Sequence, residues 1–523
     1  MCILSGMANE KLPKDVHLAG EEPSVVEGAA GGAGVETFGG RVQVQWDPGA
    51  QVTAFGPATY FIEFLKTSGL WEEWVKECPL SYQSRNAPKK EEILATVLLS
   101  VLAGHKRYAH ITSIRADGVL PQLLGVERLR SEDAVRRAFQ QGAEDDYTLW
   151  MDRQLNATFE PLLDEEWILD IDATVKTLYG KQEEARVGYH PTKPGRPSHS
   201  YHAYLIAKLR MVLNVDVHAG NQTASEYAQP GLWGWLDARE REQWPSLVRG
   251  DVSWGTERMM QEAEQRELPY LFKLRQSLGV QRHLAGLHAH RRWVPAGGHW
   301  QGTESRLQLE GWSRARRVIV LRRRVREDLA VFEVEPRTGQ ARLDGMALLA
   351  KDQLLYEYAV LVTSYAEKDI LSLAQLYRDR GDAENVFDEL KNQWGWTGFT
   401  TQDLRRSQLM ARIIALVFNW WSLYTRLAIP KRHTEATTSR PLLLHGIARK
   451  TTHSQQTRVT ITSSHGKANA VQKCLRAVSE FLRKFRQSAE QLTPPQRWRL
   501  LLCRIFGEFY EATASGKVRL LPV

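Results

Sequence analysis

The chain has 523 residues, 43% of them hydrophobic and 25% charged, with a formal net charge of +8 and a sequence pI of about 9.2. That length exceeds one ordinary core at about 100–200 residues per domain. Its apolar runs fall short of the ~18 residues of a spanning helix, since even LMARIIALVFNWWSLY is interrupted by Arg412 and Asn419. Cys2, Cys78, Cys474 and Cys503 form no CxxC pair, which argues against a disulfide framework or a thiolate zinc site; residues 1–16 carry no secretory signal, so a cytoplasmic protein is expected.

In chain order, residues 1–55 hold GAAGGAGVETFGG and few aromatics; a disordered tail is predicted, with Met7 a possible true start. Residues 56–160 read as a compact helical domain. EEILATVLLSVLAGHKRYAHI is apolar-periodic, and SEDAVRRAFQQ opens on Ser131 as an N-cap. The second of these could read DNA through Arg136 and Arg137, or be an ordinary surface helix. At Trp167 the texture changes: WILDIDATVKTLYG alternates, with Leu169, Ile171, Ala173 and Val175 on one face and Asp170, Asp172, Thr174 and Lys176 on the other. SYHAYLIAKL and MVLNVDVHAG read as strands, reached through the proline-fixed loop GYHPTKPGRPSH. SLVRGDVSW then delivers Asp251 at the end of a short apolar run, and LPYLFKLR reads as another strand. Residues 161–277 therefore form an α/β unit, a mixed sheet with flanking helices. Residues 278–365 are rich in β pattern and arginine and look inserted. Helix resumes over 366–430, with a buried helix in RSQLMARIIALVFNWWSLYTRLAIP, and 431–523 is predicted as basic C-terminal helices.

The positive charge is uneven. From Arg440 to Arg519 there are 15 Lys and Arg against 4 acids, and RARRVIVLRRRVR holds seven arginines, among them Arg322, Arg323 and Arg324, with no acid. Such clusters attract polyanions, with nucleic acid the commonest; Trp293, Trp300 and Trp312 interleave as base stacking would require. The competing reading is a solvated strand face. RHLAGLHAHRRW offers His283, His288 and His290, but without cysteines or a nearby carboxylate it does not indicate zinc.

LYRDRGDAENVFDELKNQWGW, residues 376–396, concentrates charge on a helix. At about 100° per residue, Tyr377, Arg380, Glu384, Asp388 and Lys391 share one stripe beside the apolar arc of Leu376, Val386, Phe387 and Leu390, while Asp382 and Glu389 are expected to face water. Only Glu384 or Asp388 can then reach a site on the sheet. With Asp172 and Asp251 they could hold two Mg²⁺ ions through oxygen ligands for phosphoryl transfer. Paired carboxylates also serve glycosidases, against which the arginine clusters argue.

Tyr377, Arg380, Glu384 and Lys391 fit the spacing Y(2)R(3)E(6)K, which resembles the signature of bacterial insertion-sequence transposases of the DDE class. DAT at Asp172 to Thr174 and VRGD at Asp251 resemble that family's first and second aspartate motifs, while KPGRPSH and NWWSLYTRL resemble the branch with a long loop after the first strand. The resemblance covers about residues 56–460. It implies an RNase H-like fold with a β-rich insertion domain at 278–365, an N-terminal helical DNA-binding domain and C-terminal helices. It selects Glu384 over Asp388 and Asp172 over Asp170, so that Asp172, Asp251 and Glu384 are the catalytic, metal-binding residues for two Mg²⁺, with Mn²⁺ able to substitute. Tyr377, Arg380, Lys391, Lys193, Arg196, Arg322, Arg323 and Arg324 are the expected DNA contacts; for Arg380, intrahelical pairing with Glu384 is the competing reading. The expected activity is cleavage of transposon ends and joining of the 3′ hydroxyl to target DNA by a nucleoid-associated homodimer. In members that form a DNA hairpin, an aromatic of the insertion stacks a flipped base, with Trp293, Trp300 and Trp312 as candidates. The usual DRG after the second aspartate is here DVSWG, and nothing is assigned to Val252–Gly255. A nuclease without strand transfer and an inactive DNA-binding protein remain the alternatives.

Overall fold

The computed structural model describes residues 33–82, 84, 86–222, 224–287, 292–324, 333–334, 341–342, 356–430, 433–462, 466–507, 510–512 and 518–520. Residues 1–50 and 51–523 form two compact units. In the first, Ala33–Thr37 and Gly40–Val44 pair as an antiparallel hairpin. Val52–Thr53, in the second, adds a short strand to a C-terminal sheet. The expected tail therefore contains paired backbone over part of its length. Alternating Val and Thr compete there with the glycines that suggested disorder.

The second unit is built on one mixed sheet. Its central strands are β1 (Ile168–Thr177), β2 (Pro197–Ile206), β3 (Met211–Ala219), β4 (Leu247–Gly250) and β5 (Tyr270–Lys273). β1 runs antiparallel to β2 and parallel to β4. β4 runs parallel to β5, and β3 pairs antiparallel with β2, giving the order 3-2-1-4-5. The short runs LVRG and YLFK are buried, as parallel strands covered by helices on both faces must be.

Apart from the short antiparallel pair Glu333–Val334 and Ala341–Arg342, the described part of the β-rich segment does not form a sheet of its own. β6 (Trp300–Leu307), β7 (Arg316–Arg324) and β8 (Tyr356–Thr363) continue the same sheet, with β8 antiparallel to β5 and Val362 opposite Phe272. Its alternation also continues on both faces. Val248, Phe272, Val318, Val320, Val360 and Val362 join the main core, while Leu247, Leu271, Ile319, Leu321 and Leu361 join a second cluster on the opposite face. An inserted stretch whose strands find a free antiparallel edge gains more by adding to it than by leaving it open.

The N-terminal helices include α1 (Lys90–Leu102), buried along most of its length, and α2 (Glu144–Phe159). Ser131 does cap a helix, Glu132–Ala138, accepting from Ala134 N at 3.3 Å, and Arg136 and Arg137 on it are exposed. Two helices, α3 (Ile370–Arg378) and α4 (Gly381–Gln393), follow β8 and are joined by the turn Asp379–Arg380. α5 (Leu404–Ala428) is buried from Ser407 nearly to its end and packs on β3 and α2. The polar residues that interrupt its apolar run are satisfied inside. Asn419 accepts from Val212 N at 2.9 Å and donates to Val212 O at 2.8 Å, and Arg412 pairs with Asp152 and Asp216, both at 3.0 Å. No helix among the described residues is long and apolar enough to cross a membrane.

The C-terminal region departs from the all-helical expectation. After α6 (Ala436–Leu443) comes a hairpin of β9 (Ala448–His453) and β10 (Gln456–Ile461), and only then the helices Ala468–Ser488 and Pro494–Ile505. Alternating Thr, Arg and Val in KTTHSQQTRVTI is strand pattern, masked on inspection by the basic composition.

Candidate active site

Parallel pairing of β1 with β4 sets Asp170 beside Arg249 and Ile171 beside Gly250, and Asp172 and Asp251 each follow directly on that last paired rung. Adjacent strands lie about 4.8 Å apart, which makes these carboxylates neighbours. Asp251 is held by the turn it begins: its Oδ1 accepts from Ser253 N at 2.9 Å and its carbonyl from Trp254 N at 3.1 Å. The turn explains the residues sequence reasoning left unassigned. Trp254 is fully buried against the strand end, and a Cβ at Gly250 would lie 2.8 Å from the Trp254 Cβ; one at Gly255 would lie 2.4 Å from the Lys273 carbonyl.

Asp170 and Asp172 share a face but not a role. Asp170 is buried and receives both Arg249 Nε and Nη2 at 2.7 Å, while the same guanidinium donates to the Leu376 carbonyl of α3. This pair fastens the helix to the sheet, and Arg249 is a supporting residue that sequence reasoning missed. Asp172 instead pairs with Arg380 at 2.7 Å, and Arg380 reaches Glu384 at 3.1 Å. One guanidinium thus bridges the strand carboxylate and the helix carboxylate. Burial pushes the Asp172 carboxyl up to about 6; Arg380 opposes the rise, and Asp251 and Glu384 add to it. Burial works against the Arg380 charge, but Asp172, Tyr377 and Asp251 hold its pKa above the ordinary guanidinium value. Tyr377 is pushed up to about 12, first by burial and then, against Arg380, by Asp251, Glu384 and Asp172. Its hydroxyl is therefore a donor at neutral pH. The three carboxylates, Tyr377 and Arg380 lie within one another's electrostatic reach.

The rest of the helix departs from the wheel. Glu384 is two-thirds exposed, at 67% of its side chain, and Asp388 is exposed and accepts from Asn392 at 2.7 Å. Lys391 lies two turns beyond Glu384, and no contact with the carboxylates is seen for it among the described residues. Asp382, expected to face water, pairs with Arg210 of the β2–β3 turn. Glu389, expected likewise, is buried and accepts from His433 Nε2 at 2.7 Å, Trp394 Nε1 at 3.0 Å and Ala436 N at 3.0 Å. α4 packs against β1, α5 and α6, so its buried arc is wider than the single apolar face the wheel assumed.

The remaining expected DNA contacts are scattered. Lys193 and Arg196 flank the exposed Tyr179 ring, their charges 5.1 and 5.9 Å from its centroid. Lys193-Pro194-Gly195-Arg196 forms a tight turn, with Arg196 N donating to Lys193 O at 3.2 Å and Gly195 at φ 78°. Arg322 lies 3.9 Å over Trp293 and 4.5 Å over Tyr356, and Arg323 pairs with Glu357 and stacks 4.9 Å over Trp300. Arg324 is exposed at the end of β7. Other arginines of the cluster turn inward. Arg316 is buried against Glu257 and Glu264, and Arg317 pairs with Glu304 at 2.6 Å. Trp312 lies 5.3 Å from Arg316. The tryptophans that interleave the arginines in sequence are partners of those arginines in space. His283 bonds Ser305 at 2.8 Å, and His288 and His290 lie outside the described residues.

The carboxylates offer hard oxygen donors of the kind a divalent cation takes, and the charge of Arg380 offsets their mutual repulsion. The Arg380 Nε is buried without a hydrogen-bond partner among the described residues, an idle donor beside them. Those residues contain no group of three His, Cys, Asp or Glu close enough to share one ion as they stand. Asp172, Asp251 and Glu384 fit such an ion by donor chemistry, with Arg380 occupying the space between two of them.

The sequence model of the family described as transposase DDE domain, group 1, matches residues 37–483. No curated protein matches the chain. Among solved structures, the cryo-EM structure of the piggyBac transposase synaptic complex with hairpin DNA is similar, at 11% identity and a TM-score of 0.39, over 89% of this chain and 88% of that one.

Proposed function

The chain belongs to the family of DDE transposase domains, group 1, and on that premise we propose that it binds the ends of a bacterial insertion sequence, cleaves them and joins the freed 3′ hydroxyl to target DNA. The observation that carries this reading is the Arg380 bridge between Asp172 and Glu384, with Asp172 and Asp251 each following directly on the paired rung Ile171–Gly250. The strand order 3-2-1-4-5 supports an RNase H-like core, and the YREK spacing falls on the α3–α4 junction beside it.

Asp172, Asp251 and Glu384 would hold two Mg²⁺, with Mn²⁺ able to substitute; bound there, such ions activate an attacking oxygen and stabilise a leaving one. The chain's own groups do the rest. Arg380 leaves the carboxylates for the scissile phosphate, its idle Nε giving it a second donor for a bidentate contact. Tyr377, protonated at neutral pH, donates to the same phosphate. Lys391, Lys193, Arg196 and Arg322–Arg324 contact the flanking backbone, two ends being paired by a homodimer in the bacterial nucleoid.

The test uses an end-labelled oligonucleotide carrying the inverted repeat that flanks the gene, together with a target plasmid. Cleavage followed by covalent transfer of label to plasmid is expected from the wild type, and neither from Asp172→Ala. Cleavage without transfer would make the chain a nuclease, and unchanged behaviour of Asp172→Ala would make it a non-catalytic DNA-binding protein. Mg²⁺ should also raise the melting temperature of the wild type and not that of Asp251→Asn, as binding to the folded state requires.

A further inference from the structure

The hairpin β9–β10 presents two unlike faces. The register pairs Ala448 with Ile461, Lys450 with Val459 and Thr452 with Thr457 on one face, and Arg449 with Thr460, Thr451 with Arg458 and His453 with Gln456 on the other. The first face is anchored at its base. Ala448 is 1% exposed and pairs with Thr53, Gly446 N donates to Ala54 O at 2.9 Å, and Lys450 N donates to Gln51 O at 2.8 Å. The second face is exposed at every one of its six positions, and each side chain there can form hydrogen bonds.

That face is also purely cationic in charge. No Asp or Glu occurs between Ala436 and Ser479, and neither Arg449 nor Arg458 forms an ion pair among the described residues. The contrast is with β7, where Arg316, Arg317 and Arg323 are answered by glutamates of neighbouring elements. The tip adds an independent observation. Ser454 and Gln455 form the two-residue turn with φ of 47° and 65°, a conformation that two-residue hairpins normally give to Asn-Gly or Gly. Non-glycine residues are disfavoured in that conformation, and the tip is exposed, so packing does not require it. What Ser and Gln supply over glycine is hydrogen-bonding side chains at the far end of the ribbon.

We infer that the outer face of this hairpin is a DNA-binding surface that lays a two-stranded ribbon into the groove of duplex DNA, with Arg449 and Arg458 on phosphates and His453, Ser454, Gln455 and Gln456 at the base edges. Strands about 4.8 Å apart fit a major groove about 12 Å wide, which admits such a ribbon. The inference rests on the transposase reading only in taking duplex DNA as the partner, and it places contacts away from the carboxylates.

The test is fluorescence anisotropy of the full chain, without divalent metal, on labelled duplexes across a salt series. Each phosphate contact lowers the slope of log affinity against log salt by about 0.9, so Arg449→Gln with Arg458→Gln should reduce the slope by about 2 and weaken binding at least tenfold. The melting temperature should not change, because both side chains are exposed. Ser454→Asn with Gln455→Gly should raise the melting temperature and reduce discrimination between the flanking repeat and random duplex. An unchanged slope in the arginine variant, with the wild type binding duplex normally, would overturn the inference, as would an equal loss on single-stranded RNA and on duplex. Failure of the wild type to bind any DNA would instead sink the transposase reading itself.

Discussion

Asp170 and Asp172 leave the same face of β1, and the fates of their charges diverge because of what lies opposite. Asp170 meets Arg249, both almost fully buried; Asp172 meets Arg380, Asp251 and Glu384. Asp170→Asn strands the Arg249 guanidinium without its counter-charge, which costs about 3–5 kcal/mol; a large drop in denaturant midpoint is expected. Asp172→Asn leaves Arg380 paired with Glu384 and removes a repelled carboxylate, so its midpoint should stay near that of the wild type while cleavage is lost. Equal midpoints for the two variants would contradict this division. The same strand carries Lys176, 2% exposed, bonded to the Gly398 carbonyl and pushed down by burial to about 7 from 10.5. Between those two values the unfolded chain binds the proton and the folded one does not, so this group's contribution to stability rises with pH. Lys176→Met should therefore stabilise the protein by about 1–4 kcal/mol at pH 6–7, and thermal melts should show that gain shrinking toward pH 10; a gain independent of pH would refute the burial argument. At this scale the aspartate ladder was legible in the sequence, because alternation and the DAT and VRGD patterns lie within short windows. Arg249 as the partner of Asp170 was not, since the two are 79 residues apart and only the parallel register brings them together.

Helix α4 shows what a wheel can and cannot tell. Tyr377, Arg380 and Glu384 do approach the sheet, but from the end of α3, the intervening turn and the first turn of α4, since the helix breaks at Asp379–Arg380 instead of running through on one face. The opposite side is not water. α6 covers Glu389, and its carboxylate, despite burial, is held below the usual range by His433, Trp394 and the Ala436 amide. This contribution is present above the ordinary glutamate value and is lost as pH falls through the lower folded value. Were Glu389 the surface acid the wheel predicts, Glu389→Ala would change stability by less than about 0.5 kcal/mol. As a buried hub it should cost about 3–5 kcal/mol and loosen α6, read as faster hydrogen exchange over 436–443. β7 failed in the same way. Its arginine cluster was plain in sequence, but Glu257, Glu264, Glu304 and Glu357 arrive from other elements, so local charge counting overstated the free positive surface.

At the scale of the whole molecule, the single sheet is what a segment-by-segment reading could not show. Residues 278–365 look like a separate domain in sequence because their texture changes, and strand pairing across β5 and β8 leaves no local trace. Physically the two readings diverge sharply. A self-contained insertion could be replaced by a short linker with the remainder still folded. Here, removing 278–363 would bare the whole edge of Tyr270–Lys273 and strip Leu247 and Leu271 of the Ile319, Leu321 and Leu361 packed with them. An exposed apolar edge strand pairs with other chains, and lost burial costs about 25 cal/mol per Å². Joining Ser277 to Ser364 through a Gly/Ser linker should therefore yield an aggregated chain without a cooperative melt, measured by circular dichroism and size exclusion. A soluble, cooperatively melting deletion would show that β6–β8 are dispensable to the core, and with it that the sheet's continuity is not what holds α3 and its Arg380-bearing turn over Asp172.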